Sequence, residues 1–99
     1  MKIIAEYVYS IDEELESAKN YAEKHLYAKS MDKYPDTDYY LTMAKHELQH
    51  VDFLHEMAVA EVKRLSDVYK PTSEMQKVWD ESHAHYVEQS AWIKQMLAM

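Results

Sequence analysis

The sequence has no glycine, no cysteine and only two prolines, Pro35 and Pro71, in 99 residues. A β-rich fold needs turn glycines and β-branched alternating runs, and both are missing. Without cysteine, disulfides, iron–sulfur clusters and cysteine zinc sites are excluded. Any bound metal must be held by histidine and carboxylate, a donor set suited to iron, manganese or zinc. Excess positive charge is also missing. The net charge is −7 at pH 7, which argues against nucleic acid and anionic membrane as partners. No apolar run nears the ~20 residues of a bilayer span, and the first ten residues do not form a signal peptide. The expected compartment is the cytoplasm.

What remains is helical composition, rich in Glu, Lys, Ala, Leu and Met. Nine Tyr, seven Met and two Trp suggest a core or interface lined by large, adaptable side chains. The length suits a single domain over residues 1–99, without repeats or low-complexity segments.

Three helices are expected. Ile4, Tyr7, Ile11, Glu14, Ala18, Tyr21, His25 and Ala28 recur at 3–4 spacing and predict one helix over 2–30. Ser10 begins a possible capping box, but the stripe runs on back to Ile4. Pro35 should push residue 34 out of helical geometry. Asp36 or Thr37 is then the expected cap of a second helix running to about Tyr69. One stripe of that helix is Tyr40, Met43, Glu47, His50, Leu54 and Met57. A second flank, Leu48, Val51, His55, Ala58, Val62 and Leu65, suggests a central helix with two neighbours. Pro71 ends the run. Ser73-Glu74-Met75-Gln76 reads as the capping box of a third helix, with Trp79, His83, Tyr86, Ser90, Ile93 and Leu97 as its buried stripe.

Glu47-Leu48-Gln49-His50 carries the main chemical signal. Residues i and i+3 of a helix share a face, so Glu47 and His50 can converge on one metal. Both lie on an apolar stripe, where an unpaired carboxylate costs several kcal/mol, on the order of a lost buried ion pair. The carboxylate must be metal-bound, protonated or hydrogen-bonded; a Glu–His or Glu–Tyr bond in the core is the plain alternative. Glu14 stands on the facing stripe of helix 1, and Tyr21 follows it by seven positions. At ~1.5 Å per residue, Glu14 lies ~24 Å from the turn and Glu47 ~16 Å, a mismatch that an earlier start of helix 2 would reduce.

Glu14, Tyr21 and the E-x-x-H of Glu47 and His50 together resemble one half of the ferritin-like superfamily, as in bacterioferritin and rubrerythrin. The resemblance covers roughly residues 4–60. It implies iron ligation by Glu14, Glu47 and His50, with Tyr21 a candidate to stand behind the ligands and support them, and possible ferroxidase activity. Full-length members take a second Glu and a second E-x-x-H from their third and fourth helices, and those ligand motifs are absent from this sequence. Two copies of this chain would supply the four carboxylates and two imidazoles of a di-metal bundle. The expectation is therefore a homodimer, with a four-helix bundle at its centre and the third helices on the flanks. The rival expectation is a metal-free helical interaction module, of the kind found among accessory proteins of phages and mobile elements.

Folding helices 2 and 3 about Pro71 sets His55 level with Glu88 and Glu61 level with His83. Cross-helix pairs that fix register are the expectation, with raised histidine pKa values; a second metal site is the alternative. His25 and His46 read as structural or exposed. His46 and His50 also stand at i, i+4, a spacing that can bind zinc.

Overall fold

Among the described residues, three α-helices in up-down-up order make a rod 54 × 17 × 17 Å. The computed structural model describes residues 2–68 and 70–99, with side chains from Ile4 onward. Helix α1 spans Lys2–Ser30, α2 spans Tyr34–Ser66 and α3 spans Ser73–Ala98. No strand occurs among the described residues. None of the described helices is long and apolar enough to cross a membrane.

The helix 1 stripe is the buried one. Ile4, Ile11, Ala18, His25 and Ala28 are buried, and Leu15 and Ala22 are buried with them in one core. On α2 the second flank is the better covered, with Ala44, Leu48, Val51 and Ala58 buried. Of the stripe that carries the E-x-x-H pair, His50 and Met57 are exposed. Ser90, Ile93 and Met96 complete the core from α3. Ile11, Val51 and Ile93 are the largest fully buried side chains, each stabilising the fold by about 1.5–3 kcal/mol.

Helix α1, not α2, is the central element. It approaches α2 closely along its length and also packs on α3, whereas α2 and α3 meet chiefly through long side chains. Small residues explain this: Ala18 and Ala22 on α1 leave room for both neighbours.

The first turn departs from expectation. Helix α2 begins at Tyr34, with Pro35 in its first turn. There the missing N–H is no loss and the fixed φ is already helical. Neither Asp36 nor Thr37 caps the helix. Thr37 is buried; its hydroxyl donates to the Lys33 carbonyl at 3.0 Å and its own carbonyl meets His25 Nδ1 at 3.0 Å. Asp32 takes φ 55°, the left-handed position that usually falls to glycine. From there Lys33 N donates to Ala28 O at 3.0 Å and Asp32 N to Lys29 O at 3.2 Å, a Schellman closure of α1.

The cap of α3 is Thr72 rather than Ser73, its hydroxyl accepting from Met75 N at 3.2 Å. The described part of α2 stops at Ser66, followed by a turn at Asp67 and Val68; the expected end at Tyr69 lies outside the described residues. At the far end of the rod, Lys29 Nζ donates to the Met99 carbonyl and ties the last turns of α1 and α3 together.

Candidate metal centre

Glu14, Glu47 and His50 come together at mid-height between α1 and α2. One ligand atom from each lies within 4.8 Å of the other two. The start of α2 at Tyr34 rather than Asp36 lifts Glu47 away from the turn and toward the level of Glu14. Glu14 then reaches both residues of the E-x-x-H pair.

The electrostatics are those of crowded acids beside a base. Glu14 Oε2 is buried and has no hydrogen-bond partner. It stands 3.8 Å from His50 Nδ1, too long for a hydrogen bond. Two bonds of about 2.1 Å to a shared cation can span that distance. The Glu14 carboxyl is raised from its ordinary value, first because hydrogen bonding with the Glu47 carboxyl favours its neutral form. Burial and repulsion from the Glu47 charge add to this, and His50 acts in the opposite direction. A cation satisfies all three demands at once: it fills the orphan acceptor, separates the two carboxylates and uses the imidazole lone pair. The donors thus fit a metal ion. The His50 side chain is 62% exposed and that of Glu14 33%, so the group opens to one side of the hairpin. Phe53 and Met57, 63% and 39% exposed, continue that flank at i+3 and i+7 from His50.

The other sequence candidates fall elsewhere. Tyr21 lies toward the turn, its ring 6.3 Å from that of Tyr40, with Lys24 Nζ 5.7 Å from its centroid. Glu88 is exposed on α3. The expected pairs His55–Glu88 and Glu61–His83 are replaced: His55 Nε2 meets His83 Nδ1 at 2.9 Å, and Glu61 pairs with Arg64 on its own helix. The cause is register. Because α2 turns at Asp67 and α3 is capped by Thr72, α3 slides relative to a fold made at Pro71. His55 consequently has a lowered pKa, not a raised one. Burial comes first among the causes and the neighbouring His83 second; Asp52 and Glu56 oppose them. His25 is buried and structural, and His46 is exposed, as expected.

Sequence reading missed Tyr86–Asp52. The phenol donates to Asp52 Oδ1 at 2.6 Å, and burial and that carboxylate push the phenol pKa up. No local motif marks this bond, because it depends on the α2–α3 register. No family model, curated protein or solved structure matches this chain.

Proposed function

We propose that this chain is a small ferritin-like metal-binding protein, with Glu14, Glu47 and His50 as ligands. The reading rests on the convergence of Glu14, Glu47 and His50, one ligand atom of each within 4.8 Å of the other two, with Oε2 of Glu14 buried and without a hydrogen bond. The oxygen-rich set suits iron or manganese, and the imidazole extends the choice to zinc; the resemblance favours iron. Bound iron supplies the redox chemistry for oxidation of Fe(II) by dioxygen. The chain's own part is to hold and orient the ion and to take up or release the Glu14–Glu47 proton. Because a metal displaces that proton, affinity rises with pH as Glu14 ionises.

Elemental analysis of purified protein is the test. The parent should carry iron, manganese or zinc, and Glu47→Ala should lose it; equal trace content in both rejects the site. Chelation should also lower the thermal midpoint, since a metal that binds only the native state stabilises it. An unchanged midpoint favours the metal-free interaction module.

The proposal extends to a homodimer with the ligands at its interface. Two chains related by a twofold axis offer four carboxylates and two imidazoles, the number a di-metal bundle uses. The open side of the group and the neighbouring exposed Phe53 and Met57 support this arrangement. Light scattering on metal-loaded protein should give twice the chain mass of 11.8 kDa. A monomer at micromolar concentration rejects the shared centre.

A further inference from the structure

A second histidine arrangement lies across the other interface of α2, away from the Glu14 group. His55 on α2 and His83 on α3 bring Nε2 and Nδ1 to 2.9 Å, with ring centroids 5.0 Å apart and planes 29° from coplanar. The centroid separation nearly equals the nitrogen separation plus one ring radius from each side. The two nitrogens therefore face each other nearly in line, one donating an N–H to the other's lone pair.

The surroundings hold this arrangement in place. The His55 ring lies parallel to Tyr86, 4.0 Å away and 11° inclined, and to Trp79, 6.1 Å away and 12° inclined. Tyr86 is fixed by its bond to Asp52. The plane of His55 is thus set from α3 before any ligand arrives. His83 is exposed and leaves a route from solvent. Asp52 and Glu56 place negative charge near His55, and α3 presents the neutral rings of Trp79 and Tyr86.

We propose that His55 and His83 form a second cation site that bridges α2 and α3 and takes zinc or a similar borderline transition ion. Two imidazoles select zinc, copper or nickel over magnesium, calcium or manganese. Two nitrogens on one tetrahedral zinc stand about 3.3 Å apart, from Zn–N bonds of about 2.0 Å. The observed 2.9 Å must therefore open by about 0.4 Å, and both rings must swing off their common line so that the two lone pairs meet at one ion beside it. Both facing nitrogens must offer lone pairs, so the N–H between them is given up. The donating ring shifts its proton to its outer nitrogen, His55 Nδ1 or His83 Nε2, and no net proton is released from the neutral pair. Water completes the coordination on the exposed side.

The test is zinc titration by calorimetry in a Glu47→Gln background, which disables the first site and makes the outcome independent of it. That variant should bind one zinc per chain, and adding His83→Asn should abolish the binding. His83 is exposed, so the double variant should keep its fold, which circular dichroism checks. In 15N-labelled protein, zinc should move the ring nitrogens of His55 and His83 and leave those of His25 and His85 in place. Absence of zinc binding in Glu47→Gln, or unchanged binding after His83→Asn, overturns the proposal. So does a ring-nitrogen shift that spares His55 and His83.

Discussion

At the scale of single residues, polar groups inside the bundle carry the sharpest consequences. The folded pKa of His55 lies below its unfolded value of about 6.5. The unfolded chain then binds protons more readily, and stability rises with pH. The His55 contribution is complete above about 6.5 and is lost as pH falls from there through the folded value. Melts between pH 8 and pH 5 should show the loss, and His83→Asn should weaken it. A His55 pKa at or above 6.5 by NMR contradicts the lowered value. Ser90 is a different case: its Oγ is buried without a partner. Ser90→Ala removes an unmet hydrogen-bonding demand and should raise stability by about 1 kcal/mol, read as a higher denaturant midpoint. The Glu14–Glu47–His50 group was legible because each member sits on a stripe fixed by helical period alone. The His55–His83 and Tyr86–Asp52 contacts were not. They depend on how far α3 slides along α2, which no periodicity encodes.

At the scale of elements, helix existence was written in the 3–4 spacing of apolar residues. Helix ends were decided by a few atoms. Tyr34-Pro35 reads as a break, yet proline is at home in a first turn, and α2 starts there. Thr72 outcompetes Ser73 as a cap because its hydroxyl reaches Met75 N. The two apolar flanks of α2 suggested a central helix; the small residues of α1 gave that place to α1 instead. The α1–α2 turn offers a direct test. Asp32 holds a left-handed conformation that glycine adopts without steric cost. Asp32→Gly should therefore leave the turn intact and stabilise it by up to about 1 kcal/mol, less the added freedom of the unfolded chain. Asp32→Val should destabilise it. Thermal melts of the pair, in opposite directions from the parent, check the closure of α1.

At the scale of the whole molecule, the α1–α2 hairpin holds the candidate metal ligands, and α3 rests on it with fewer close approaches. Hydrogen exchange should release α3 amides before those of α1 and α2, since local opening follows contact density. Uniform protection across the three helices argues against that order. The rod itself has a further consequence in rotational diffusion. It is 54 Å long and 17 Å across, and helical N–H bonds run close to the helix axis. Nearly every amide vector thus lies along the long axis, where spinning about that axis leaves it unmoved. Relaxation of 15N spins should report only the slow end-over-end tumbling, with almost the same high T1/T2 ratio in all three helices. Side-by-side pairing through the Glu14 face would thicken the particle and bring the two rotational rates closer together, so the same spectrum distinguishes one rod from two.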